Sequence, residues 1–143
     1  MGNTIRHIGL VVENVDKALD FYGVFLGFSV VKDQWETGPF IDAVLGMPGL
    51  RVRTIKMMDA GGAILELLCF DLPPEACAGR EIHQPGFSHI ALTVQDVDRL
   101  FEGIKALGLP FISSPKVSGD GRAKVVFCRD PQGNFLELVQ ELG

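Results

Sequence analysis

One ten-residue stretch is written twice in this chain. His7-Ile8-Gly9-Leu10-Val11-Val12-Glu13-Asn14-Val15-Asp16 recurs as His89-Ile90-Ala91-Leu92-Thr93-Val94-Gln95-Asp96-Val97-Asp98, displaced by 82 residues throughout, with six of the ten positions identical. A repeat at fixed displacement means two copies of one supersecondary unit. Any fold proposed for the chain must therefore bury the same apolar stripe twice and present the same polar residues twice.

Within each copy the alternation of side chains predicts a strand, with Ile8, Leu10 and Val12 (then Ile90, Leu92 and Val94) on one face and the histidine on the other. Asn14 and Asp96 are suited to N-capping the helices that follow, and Gly27 and Gly108 to ending them. Further strands are expected at 28–33, 51–58 and 63–70 in the first copy, with Asp59-Ala60-Gly61-Gly62 as a hairpin turn. The stretch 34–50, rich in Gly and Pro, reads as a loop with one helical turn at 41–45. The second copy continues through strands at 111–113, 124–129 and 135–139, with Asp130-Pro131-Gln132-Gly133 as the last turn. Each copy is thus β-α-β-β-β. Module one spans 4–70, a Pro- and Gly-containing linker 71–86, and module two 87–141, all within a single domain covering 1–143. The expected class is α+β.

The closing strands match as well. Ile64-Leu65-Glu66-Leu67-Leu68 corresponds to Phe135-Leu136-Glu137-Leu138-Val139, but at a displacement of 71 residues. Module one therefore carries eleven more residues between its histidine and its glutamate, most easily placed within 34–50.

Lys and Arg total 13 against 18 Asp and Glu, a net charge of −5, so the chain has no basic footprint for nucleic acid or an anionic membrane surface. No apolar run reaches membrane-spanning length and the N-terminus lacks a signal-peptide core, so a cytoplasmic location is expected. Cys69, Cys77 and Cys128 show no paired spacing and read as reduced thiols.

His7, Glu66, His89 and Glu137 all lie opposite the apolar stripes of their strands. A carboxylate in the middle of Ile-Leu-Glu-Leu-Leu costs desolvation unless it is paired or bound to a metal, and here it occurs twice. Two imidazoles and two carboxylates converging on one point would suit one divalent ion, Zn, Ni, Co, Mn or Fe. Trp35, Phe40, Met47 and Met57 are candidate pocket residues, and Arg51, Arg53, Arg122 and Lys124 candidates for holding an anionic substrate group. His83, in the linker, has no twin and reads as surface.

Paired β-α-β-β-β modules, each opening on a strand histidine and closing on Leu-Glu-Leu, resemble the vicinal oxygen chelate superfamily, which includes glyoxalase I, methylmalonyl-CoA epimerase, extradiol dioxygenases and fosfomycin-resistance transferases. The resemblance runs from Ile5 to Gln140. It implies eight strands in a curled, partly open sheet around a metal cleft, with His7, Glu66, His89 and Glu137 on the ligand positions. It also implies a small-molecule substrate and a homodimer, the cleft being completed within one chain or across two.

Glutamate at position 66 resembles bacterial glyoxalase I, whereas the epimerases carry glutamine there. Catalysis through an enolate or enediolate, with Glu66 and Glu137 moving the proton, makes a metal-dependent epimerase or isomerase the first expectation. Yet Gly46-Met47-Pro48-Gly49-Leu50 offers no counterpart to the extra carboxylate of the acyl-CoA epimerases. A glyoxalase I-like lactoylglutathione lyase and a metal-free binder of the bleomycin-resistance kind are the alternatives.

Overall fold

The computed structural model describes residues 2–75 and 79–143. Cys77 lies outside them. The chain divides into two compact units, Met1–Ala76 and Cys77–Gly143, with the division inside the expected linker. None of the helices among the described residues is long and apolar enough to cross a membrane.

The first unit runs β1 (Ile8–Val11), α1 (Val15–Leu19), β2 (Ser29–Thr37), α2 (Pro39–Leu45), β3 (Arg51–Met58) and β4 (Ile64–Phe70). Its sheet has the order β1-β4-β3-β2, with β1 parallel to β4 and the other pairs antiparallel. Asn14 caps α1, its side chain accepting from Lys17 N at 3.0 Å. The helix then widens into a π-helical segment, Asp20–Phe25, whose end is marked by the bond from Leu26 N to the Phe21 carbonyl. That widening sets both Phe21 and Tyr22 into the core, where their rings meet edge to face at 5.1 Å. Under them lie Ile55, Met57, Leu65 and Leu67, each at most 4% exposed, the odd-numbered stripe of β3 and β4.

The second unit repeats this plan as β5 (His89–Thr93), α3 (Val97–Ala106), β6 (Lys116–Val117), β7 (Ala123–Arg129) and β8 (Phe135–Glu141), in the order β5-β8-β7-β6. Asp96 caps α3 by accepting from Arg99 N. Val97 and Ile104 of the helix are buried, as are Val126, Cys128, Leu136 and Leu138 of the sheet.

Eight strands are present, in two four-stranded mixed sheets, in keeping with the expected tandem β-α-β-β-β modules. Two expectations of detail change. The stretch taken as an irregular loop from 34 begins as strand, because β2 extends to Thr37 along β3, and α2 starts at Pro39. Conversely, 111–113 contributes only an isolated bridge, Phe111 to Cys128, and the edge strand of the second sheet is the two-residue β6.

Register in both sheets is fixed by matched turns. Asp59 Oδ1 accepts from the Gly61 and Ala63 amides between β3 and β4. Asp130 Oδ1 accepts from the Gln132 and Asn134 amides between β7 and β8. Satisfying the turn donors from one carboxylate holds the hairpin at a single alignment, and with it the position of each glutamate.

Candidate active site

In each unit the strand that begins at or just after the histidine is the parallel neighbour of the strand that carries the glutamate. Gly9 pairs with Glu66 between β1 and β4, and Ala91 with Glu137 between β5 and β8. The histidine lies two residues before the glycine or alanine, so by alternation it shares the glutamate's face. Small residues beside the glutamate leave that face open. A Cβ on Gly9 would stand 3.3 Å from Leu68 Cδ1, close but against the movable end of a side chain.

His89 Nε2 lies 3.0 Å from Glu137 Oε2, and His7 Nε2 lies 3.7 Å from Glu66 Oε1. All four side chains are partly exposed: His7 32%, Glu66 13%, His89 30% and Glu137 24%. Two donors bound to one ion at about 2.0–2.2 Å stand about 3 Å apart at a right angle and about 3.4 Å apart at a tetrahedral angle. The 3.0 Å of His89–Glu137 matches two neighbouring ligand positions on one ion, and the 3.7 Å of His7–Glu66 lies about 0.3 Å beyond the tetrahedral span. Among the described residues, neither unit by itself gathers three or more His, Cys, Asp or Glu side chains that could hold a metal. Each unit brings one histidine and one carboxylate together.

The halves differ behind the histidine. His89 Nδ1 is 2.9 Å from Ser88 Oγ, which also lies 3.3 Å from the Ile82 carbonyl, and the imidazole meets Phe127 edge on at 4.9 Å. With Ser88 engaging Nδ1, Nε2 is left to meet Glu137. The residue before His7 is Arg6, which has no hydroxyl to offer.

The candidate substrate residues are distributed differently from expectation. Arg53 pairs across the strands with Cys69, an odd number of residues from Glu66, and Trp35 pairs with Arg53. Both therefore lie on the helix-bearing face, opposite His7 and Glu66. Arg53 forms a two-pronged bond with Asp33 at 2.9 and 2.7 Å, which holds the Asp33 carboxyl below its usual range. Arg51 stacks on Trp35 at 4.2 Å. Met57 is buried beneath the π-helical segment, its terminal methyl near Gly23. Lys124 bonds Asp98 of α3, on the helix side of the second sheet. Arg122 is exposed in the turn before β7, where its backbone N–H bonds Asp120. Phe40 is 80% exposed on α2 and Met47 half-buried in the following turn. For Trp35 and Arg53 the reason is register: alternation fixes faces within a strand, whereas relating strands requires their pairing.

The face that carries Glu66 also carries Lys56, Thr54 and Gln34, which sequence reasoning missed. The signal was available in the Asp59–Gly62 turn, since a hairpin that pairs Met58 with Ile64 necessarily pairs Lys56 with Glu66.

Residues 4–138 match the family model described as Glyoxalase/Bleomycin resistance protein/Dioxygenase superfamily. The chain belongs to this superfamily. A lactoylglutathione lyase of Pseudomonas putida is 30% identical, the match covering 94% of this chain and 83% of that one. A probable lactoylglutathione lyase of Synechocystis is 27% identical over 95% and 94% of the two chains. Among solved structures, a glyoxalase family protein from Bacillus cereus superposes with a TM-score of 0.88 at 22% identity, covering 97% of this chain and 94% of its own. The fosfomycin resistance protein FosX of Listeria monocytogenes, complexed with Mn(II) and sulfate, gives 0.63 at 18% identity, with 98% and 93% covered. These two likenesses establish the shared fold.

Proposed function

We propose that the chain is a divalent-metal-dependent lyase of the glyoxalase I type, converting the hemithioacetal of a 2-oxoaldehyde and glutathione into a 2-hydroxyacyl thioester. The observation that carries this reading is the paired histidine and glutamate on the helix-free face of each unit, at separations suited to a shared ion. His7, Glu66, His89 and Glu137 would hold that ion, the two halves coming from one chain or from two copies in a homodimer. When bound, the ion polarises two neighbouring substrate oxygens and so acidifies the C–H between them.

The chain's own part is proton transfer. A carboxylate takes the proton from the carbon bearing hydroxyl and sulfur and returns it to the adjacent carbonyl carbon, so substrate and product differ only in where hydrogens and double bonds lie. Glu66 and Glu137 are the two candidate bases. The half-buried setting of Glu66 limits competition from water.

An epimerase or isomerase, the first expectation from the sequence, uses the same donors. Relatives named as lactoylglutathione lyases favour the lyase and reverse that order. The deciding experiment supplies methylglyoxal and glutathione to metal-replete protein and follows thioester absorbance. Thioester formation that is lost in Glu137→Ala supports the lyase. No thioester, with solvent deuterium entering a racemisable oxo-acid ester or thioester, favours the epimerase. Protein that takes up no divalent ion at all points to the metal-free binder.

A further inference from the structure

One row of side chains across the first sheet is unlike anything in the second. Lys32 of β2 stands opposite Lys56 of β3, Lys56 opposite Glu66 of β4, and Glu66 opposite Gly9 of β1. All three side chains in the row belong to the face that bears His7. Strands lie about 4.8 Å apart, so Lys56 begins one such step from Glu66 and Lys32 two. In the second unit the residue opposite Glu137 is Phe127, and the basic row has no counterpart.

Two like charges directly opposite one another destabilise a sheet. Among the described residues the carboxylate beside this pair is Glu66, across from Lys56, which leaves the row with one positive charge in excess. The ion pairs among the described residues are His7–Glu66, Arg51–Asp71, Arg53–Asp33, His89–Glu137 and Lys124–Asp98, and neither lysine enters any of them. Glu66 is engaged by His7, and Glu36, further along the same face of β2, accepts from the Gln34 amide. Lysine on an edge strand commonly guards against unwanted pairing, which accounts for Lys32 on β2. Lys56 is half-buried on an interior strand, so edge protection does not account for it.

We propose that Lys32 and Lys56 form an anion subsite that holds a carboxylate or phosphate group of the substrate, one to two strands from the end that reacts at Glu66. The assignment of the ligand as substrate rests on the function proposed above; the subsite itself rests on the register and the row's excess positive charge. Ammonium groups on long flexible stems accept either anion as compact point charges. The subsite fixes the polarity of the bound molecule, anionic end toward β2 and reacting carbons toward β1 and β4. It selects acidic substrates over neutral ones that offer the same reacting oxygens.

The test is titration calorimetry of the full chain with inorganic phosphate and, separately, with glutarate, comparing wild type with Lys32→Met, Lys56→Met and the double variant. Metal content and circular dichroism are recorded on the same samples. Wild type binds at least one of the two anions, and the double variant weakens that binding about tenfold or more, the loss expected on removing charge-assisted bonds. The anion with the larger loss identifies the group as carboxylate or phosphate. Binding that is absent in wild type, or unchanged in a folded double variant, overturns the subsite. Thioester formation from methylglyoxal and glutathione is read separately, so failure of the lyase assignment with intact anion binding is distinguishable from the reverse.

Discussion

Ser88 Oγ stands 2.9 Å from Nδ1 of His89, on the side of the imidazole away from Glu137. Groups that hold the second nitrogen of a ligating histidine fix its tautomer and ring angle, and removing them typically lowers metal affinity about 10- to 100-fold. Ser88→Ala should lower affinity for a divalent ion by about tenfold in chelator competition, with little change in thermal stability. The corresponding change at Arg6 should leave affinity unaltered.

If each half-site supplies two ligands, truncating any one of the four should be felt as loss of metal. Glu66→Ala and Glu137→Ala should both reduce the divalent ion retained after dialysis, as measured by plasma emission spectrometry. Retention of a full equivalent by either variant would remove that glutamate from the ligand set.

Should the two halves come from different copies in a homodimer, inactive His7→Ala and His89→Ala chains would rescue one another. Refolding an equimolar mixture should return about one quarter of wild-type activity, since half the dimers are mixed and each carries one intact site. A mixture that stays inactive would place the whole set within one chain.

Asp33 supplies a pH signature. Its hydrogen bonds from Arg53 hold the folded carboxyl below the usual 3.8, so the unfolded chain binds this proton more readily. The pair therefore stabilises the fold above roughly pH 4 and loses that contribution as the pH falls through the folded value. Urea unfolding of Asp33→Asn should show a flatter acid limb than wild type, with the curves differing most at neutral pH. The pair is surface-exposed, so the difference should be small.

The two described thiols should behave differently. Cys128 is 1% exposed, and burial pushes its pKa up to about 12, so it should resist iodoacetamide at pH 8 until the protein unfolds. Cys69 is only partly covered and should alkylate in the native state. Mass spectrometry of peptides from native and urea-treated protein reads both.

Asp130 is 2% exposed and anchors the turn into β8 through the Gln132 and Asn134 amides. Asp130→Ala should cost about 1–3 kcal/mol in unfolding free energy, because buried donors lose their acceptor. Since the turn also sets where Glu137 stands, metal affinity should fall with it.

Much of this molecule could be read from its residues. Alternation in Ile64–Phe70 and Phe135–Glu141, the caps at Asn14 and Asp96, and the repeat itself were sufficient to place the strands that bear the glutamates and the helices that follow each histidine strand. Polar edge strands were harder. Gln34-Trp35-Glu36-Thr37 has little apolar contrast between its faces, so the second half of β2 resembles a loop until its bonds to β3 are seen. Without that pairing the faces of Trp35 and Arg53 were not legible either, and they lie across the sheet from Glu66. The π-helical widening at Asp20–Phe25 also leaves no periodic trace, because it shifts the phase of the apolar stripe by only one residue.

The unequal outer ribbons of the two sheets, nine residues in β2 against two in β6, separate two evolutionary burdens. The strands β1, β4, β5 and β8 hold the histidine–glutamate pairs in place, and there the copies still read alike. The extra length of one outer ribbon, with α2 attached, touches none of those alignments. A lineage can therefore redraft that margin while the paired histidines and glutamates are inherited unaltered.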